Sequence, residues 1–119
     1  MELLTPAIRE ALLRNGRIRL SADMNGDPDI DFIPVVKLFT PDAGCTWLLT
    51  DLDPDDPDTA FGLCDLGLGF PELGTVSVRE LEALRGPFGL GIERDDHFDA
   101  SMTLSAYAVD AKRHGRIRA

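Results

Sequence analysis

The sequence predicts an α+β fold in which a mainly antiparallel sheet is packed by two or three helices. Three observations predict it. Apolar runs of strand length form a block in the middle of the chain, instead of alternating with helices as a parallel βαβ sheet requires. Compact turn signals, above all Pro41-Asp42-Ala43-Gly44, join those runs closely enough for hairpins. Helical spacing with capping residues appears on both flanks of the block. At 119 residues the chain has the length of one domain, residues 1–119, with a modest core of its own.

The elements follow in order. Thr5 is a good N-cap and Pro6 suits the first helical position, where its missing N–H costs nothing. Ile8, Leu12 and Leu13 then give a buried stripe, and Asn15-Gly16 reads as the stop of a helix over 6–15. Residues 17–20 are a strand or an extended link, and 21–29 are polar and loop-like. A first central strand is expected at 35–39, with Pro34 keeping the preceding residues outside the ladder. A second follows at 46–52, anchored by Trp47, and a third at 61–66, with an acidic loop over 53–58 stiffened by Pro54 and Pro57. Residues 67–74 are irregular. Together this is a three-stranded meander plus short strands.

Ser77 and Glu80 read as a capping box opening a helix over 78–85, with Val78, Leu81 and Leu84 at helical spacing and Gly86-Pro87 as its end. Residues 89–94 read as a short strand. The last helix, 103–114, places Leu104, Tyr107, Ala108 and Ala111 on one face and stops at Gly115. The predicted core is Ile8, Leu12, Val36, Leu38, Trp47, Leu49, Leu63, Leu66, Leu81 and Leu84.

The net charge is −9, and it is concentrated. Ten acids lie between residues 21 and 58, against Lys37 alone, while the rest of the chain is neutral and its two ends are locally basic. Such a field acts on association and solubility, not on the fold. No apolar run reaches the roughly 18 residues of a membrane span, and the start of the chain lacks the pattern of a secretory signal. The expected compartment is the cytoplasm. Cys45 and Cys64 form no metal-ligand spacing and are expected to be free, structural thiols. No cofactor or metal is expected.

Several constellations invite a chemical reading. Asp51, Asp53, Asp55, Asp56 and Asp58 form an acidic patch. Its start resembles a calcium loop, but Asp56 and Gly62 occupy the positions that need glycine and glutamate. A solvated surface is favoured; carboxylates imitating DNA phosphates are a second reading. Gly67 and Gly69 lack the third glycine and helix start of a dinucleotide site. The candidates for chemistry are Asp65, Glu72 and His97. Asp65 lies in an apolar strand, where an acid is costly unless paired or hydrogen-bonded. Glu72 lies in a turn, and His97 is flanked by Asp95, Asp96 and Asp99. Two carboxylates and a histidine can bind a metal or do acid–base work. Hydrogen bonding to turn amides is the alternative for Asp65. The basic tail, Lys112 to Arg118, has no interleaved aromatics and no nucleic-acid motif, so nucleic acid is not the expected partner.

The stretch FGLCDLGLGFPELGTVSVREL, with VVKLFTPDAGCTWLLTDLDPDDPDTAFGLCDLG overlapping it upstream and IERDDHF downstream, resembles domain of unknown function 2958. The resemblance runs from Leu3 to about Arg116. It implies a bacterial setting of plasmids and mobile elements, and it brings no activity with it. The expected function is therefore a small non-enzymatic accessory or protein-binding domain, in DNA transfer or defence evasion, with an unidentified protein partner. The alternatives are a small metal-dependent or acid–base enzyme using Asp65, Glu72 and His97, and an acidic DNA mimic.

Overall fold

The computed structural model describes residues 2–119. Strands β1 (Val36–Phe39), β2 (Thr46–Asp53), β3 (Asp56–Asp65), β4 (Glu72–Ser77) and β5 (Glu93–Arg94) form one sheet in the order β4-β3-β2-β1-β5. Every pairing is antiparallel. Helices α1 (Pro6–Met24), α2 (Val78–Ala83) and α3 (Leu104–His114) flank the sheet. The α+β class is as the sequence predicts, with five strands where a three-stranded meander and short pieces were expected.

The centre of the sheet is buried on both faces. Val36, Leu38, Trp47, Leu49 and Ala60 pack with Leu12 of α1 and with Val78 and Leu81 of α2. Leu48 and Leu63 point the other way, against Leu104, Tyr107 and Ala111 of α3. Neighbouring residues of a strand face opposite sides, so a strand covered twice reads as a continuous apolar run, as Trp47 to Leu49 does. Of the predicted core, Leu66 and Leu84 are instead exposed. Leu66 lies just past the end of β3, and Leu84 caps α2 in an extended conformation, so neither keeps the inward phase of its element.

The largest departure is α1. A stop was expected at Asn15-Gly16, with a strand or link and then a loop beyond it, but the helix continues to Met24. The reason lies in the sheet. β1 begins only at Val36, opposite Leu49, so β2 has an open edge from Thr50 onward. Pro34 has no N–H with which to extend the ladder. Helix α1 crosses that open edge. The Asn15 side chain donates from Nδ2 to the Thr50 carbonyl at 2.9 Å, and Gly16 lies directly against the Leu52 carbonyl. The two residues that read as a stop are the contact surface of the crossing.

The expected acidic loop at 53–58 is a tight hairpin. Pro54 and Asp55 make the turn, Asp53 pairs with Asp56, and the third strand begins at Asp56, not at 61. The stretch expected to be irregular, 67–74, contains the start of β4, which pairs with β3 from Cys64↔Glu72 to Thr59↔Ser77. Gly67, at φ 77°, takes a left-handed conformation in the connecting turn, one that side chains with a Cβ rarely adopt. Helix α2 ends two residues early, at Ala83. The expected strand at 89–94 shrinks to Glu93–Arg94, because Gly86 donates to the Leu90 carbonyl at 2.8 Å and folds 86–90 into a turn.

The helix caps show what the acids do. Thr5 Oγ1 accepts from Ile8 N at 3.1 Å, as expected. Ser77 Oγ accepts from Glu80 N at 3.2 Å, but among the described residues the Glu80 carboxylate makes no bond back to Ser77 N; Asp58 of β3 adds to the cap instead, accepting from Arg79 N at 2.9 Å and from the Ser77 hydroxyl. Asp31 likewise accepts from Ser105 N at 3.0 Å and from the Ser105 hydroxyl at the start of α3. Those hydroxyl bonds hold the Asp31 and Asp58 carboxyls below the ordinary carboxylate range, and Arg118 does the same for Asp110. Each carboxylate holds its proton less tightly in the folded chain than in the unfolded one. Their contribution to stability is therefore present at neutral pH and is lost as pH falls through the depressed folded values, below about pH 4. Urea midpoints are expected to be level from about pH 7 to pH 5 and to drop at about pH 3. The drop should be smaller in Ser77→Ala and Ser105→Ala; an equal drop in both variants would count against these caps.

Candidate functional site

On the α3 face, at the end of the sheet holding the β1–β2 turn, a cleft of about 680 Å³ opens. Lys37, Phe39 and Thr46 form its floor, segments 94–97 and 116–117 its walls, and Gly44 and Cys45 its end. Asp65 and His97 both line it. Asp65 is buried, and both its oxygens are engaged. Oδ1 accepts from Gly67 N at 2.9 Å and Oδ2 from Ile117 N at 3.0 Å. The strand acid thus fastens the β3–β4 loop and the segment after α3 to the sheet, and hydrogen bonds to backbone amides offset its desolvation. His97 is exposed on the wall of the cleft, its backbone N–H bonded to Asp95.

Glu72 is not in this cleft. It pairs with Cys64, and paired residues share a face, whereas Asp65 is the next residue and faces the other way. The structure brings two of the three candidates to one cleft and leaves the third on the opposite side. Among the described residues, no three His, Cys, Asp or Glu side chains are placed to hold a metal ion. The other charges of the cleft are largely paired. Lys37 lies 3.6 Å from Asp95 and donates to the Ala119 carbonyl oxygen, and Arg94 bonds Asp96 at 2.7 Å and the Leu3 carbonyl at 2.6 Å. Arg116 and His97 have no ion pair among the described residues.

Asp65→Ala would leave the Gly67 and Ile117 amides without their acceptor. The expected loss is about 2–3 kcal/mol, with faster amide exchange after α3, because an unsatisfied buried donor carries its full desolvation cost. Unchanged exchange at Ile117 would remove this fastening role.

The acidic patch is not one feature. Asp51 is buried under Arg19, Asp56 accepts from the Thr59 hydroxyl, and Asp58 caps α2, while Asp53 and Asp55 stand in solvent at the hairpin tip. Both cysteines are free. Both pack against the core on the α1 face; burial pushes the Cys64 thiol up, whereas Cys45 also borders the open cleft. In the native protein a disulfide reagent is expected to modify Cys45 about tenfold faster than Cys64; equal rates would contradict that placement.

Sequence reasoning passed over a second set of residues at this end of the molecule. Leu68 and Phe70, in the β3–β4 loop, and Phe88 and Leu90, in the turn before β5, are exposed. Their loops rest on the β1–β2 turn. Asp42 accepts from Phe88 N at 2.9 Å, and Gly44 packs against Gly67. A signal was there to find. In Gly-Leu-Gly-Phe-Pro and Gly-Pro-Phe-Gly-Leu the apolar residues sit between turn formers, where no strand or helix can carry them inward.

The fold is that of a small α+β protein whose antiparallel sheet is covered by helices on both faces. Residues 3–118 match the family described as protein of unknown function (DUF2958), and the chain belongs to that family. No curated protein and no solved structure matches it. Among the described residues, no helix is long and apolar enough to cross a membrane.

Proposed function

We propose that this protein is a non-enzymatic accessory domain that binds another protein, in the setting of DNA transfer or defence evasion by mobile elements. The setting rests on what the family resemblance implies. The binding role rests on one observation: Leu68, Phe70 and Phe88, 73%, 79% and 83% exposed, stand on two loops held at the same end of the sheet. Scattered exposed apolar residues are ordinary, but two phenylalanines and two leucines on two loops that both rest on the β1–β2 turn make a surface of the kind that partners cover. Phenylalanine is enriched in the cores of protein interfaces. The fastening matters for affinity. Asp42 and Asp65 set the loop backbones before a partner arrives, so less conformational freedom is lost on binding.

The test is affinity capture from a plasmid-bearing host with the native protein and with a Phe70→Ser/Phe88→Ser variant, each with and without nuclease. A captured protein that survives nuclease and is lost with the variant supports the reading. Equal capture by both proteins overturns it.

A further inference from the structure

The patch on the β3–β4 loop runs directly into β4, and β4 is an edge of the sheet. Its six residues pair with β3 on one side, and among the described residues no backbone group of β4 bonds to anything on the other. An edge strand is a template for another strand, and proteins ordinarily blunt such edges with lysine, proline, a bulge or a covering segment. Here the sequence is Glu-Leu-Gly-Thr-Val-Ser, the β3–β4 register is unbroken, and Leu73 is half exposed. Protection is confined to its start, where Pro71 precedes the strand and Glu72 opens it; Leu73 to Ser77 carry no charge, proline or bulge.

The face beside this edge is also open. Two hollows of about 250 and 270 Å³ lie there, one lined by Phe61, Thr59 and Thr75, the other by Phe61, Leu73 and Leu104; Arg19 also lines both, its charge held by Asp51. Asp23 borders the first and Asp29 the second. Both acids are exposed, and their carboxylates have no hydrogen bond or ion pair among the described residues. A strand laid against β4 would point alternate side chains toward these hollows, past Leu73 and Thr75, with the unpaired carboxylates of Asp23 and Asp29 at the rim.

We infer that β4 accepts an extended segment of the partner protein, alternating apolar with lysine or arginine residues, as a sixth strand of the sheet; this rests on the protein-binding reading. Main-chain hydrogen bonds along β4 supply affinity, and the two hollows with Asp23 and Asp29 supply selection, the division of labour of strand addition. A second copy of this chain fits poorly, since it would bring two bodies of net charge −9 together edge to edge.

The experiment is selection of a displayed random twelve-residue peptide library on the full chain, followed by titration of the recovered peptide. The expected peptide alternates apolar and basic residues. Its affinity should fall at least tenfold when alternate backbone nitrogens are methylated, and at least tenfold for an Asp23→Lys/Asp29→Lys variant, whose changes lie on exposed, unbonded side chains. A peptide indifferent to methylation but lost in Phe70→Ser overturns strand addition while leaving protein binding intact. Recovery of no peptide also overturns strand addition, and the capture experiment then decides the protein-binding reading on its own. A dimer in sedimentation with protected β4 amides assigns the edge to a second copy and overturns the partner.

Discussion

Gly16→Ala is expected to destabilise the protein by about 3 kcal/mol, although alanine in place of glycine inside a helix ordinarily stabilises it by about 1 kcal/mol. The reversal of sign comes from the crossing of α1 over β2. A methyl group on Gly16 would lie 1.7 Å from the Leu52 carbonyl oxygen and 2.9 Å from its carbon. Both atoms are backbone in a strand whose other side is fixed by β3, so neither can turn aside as a side chain would. The helix must move outward, and the Asn15 bond to the Thr50 carbonyl would be stretched with it. For a domain of this size the melting temperature should fall by roughly 10–15 °C. Gly74→Ala is the control. Nothing lies within 4 Å of its added carbon, and its effect should stay within about 0.5 kcal/mol. A Gly16→Ala protein as stable as the native one would mean that α1 does not cross β2 so closely.

This position also explains why the helix end was misread. Asparagine followed by glycine is a sound stop signal when local chemistry decides, because glycine takes the left-handed cap and asparagine competes with the helix for backbone bonds. Here a contact 35 residues away in sequence decides, with Asn15 serving an unpaired edge carbonyl and Gly16 making room for another. No window around residue 16 contains that information. The strand block, by contrast, was legible because its evidence is local. Pro34, the Pro41 to Gly44 turn and the Trp47 run each act within a few residues. Strand β4 was lost for a mixed reason. Gly67, Gly69, Pro71 and Gly74 suppress strand propensity, yet only Gly67, Gly69 and Pro71 belong to the turn, and pairing with β3 recruits Gly74 into the ladder.

The acids divide in the same way. Counting charge gave the molecule's field but not the use of each carboxylate. Asp31, Asp42, Asp58 and Asp65 each accept from backbone amides of distant segments, which fixes loops and helix starts in place. The cost of burying Asp65 in an apolar strand was visible from the sequence; the identity of its donors was not, because Ile117 lies 52 residues away. Glu72 looked like a neighbour of Asp65 only while 67–74 was read as irregular. Once that segment is a strand, alternation sends the two carboxylates to opposite faces.

Arg19→Met should cost about 3–5 kcal/mol, since it leaves a buried carboxylate without its cation. Arg19 bonds Asp51 through two nitrogens, Nε to Oδ2 at 3.0 Å and Nη2 to Oδ1 at 3.2 Å. Asp51 is 5% exposed, and among the described residues its carboxylate accepts one further bond, from the Thr50 hydroxyl at 2.6 Å. The guanidinium also lies 5.2 Å from the centre of the Phe32 ring and 5.0 Å from that of Phe61, within reach of both π faces. The pair therefore ties the second half of α1 to β2 and to the segment leading into β1. Methionine keeps much of the side chain's apolar bulk over the rings, so the measured loss reports the charge pair more than lost packing. A double-mutant cycle separates the two effects. Asp51→Leu alone should be costly because it strands the Arg19 cation. The Arg19→Met/Asp51→Leu protein should recover most of the loss, as buried ion pairs often do when both partners become apolar. The expected coupling is about 2–3 kcal/mol, read from urea unfolding of the four proteins at neutral pH. A coupling near zero, with Arg19→Met costing less than about 1 kcal/mol, would place Asp51 in contact with solvent and make the pair an ordinary surface one.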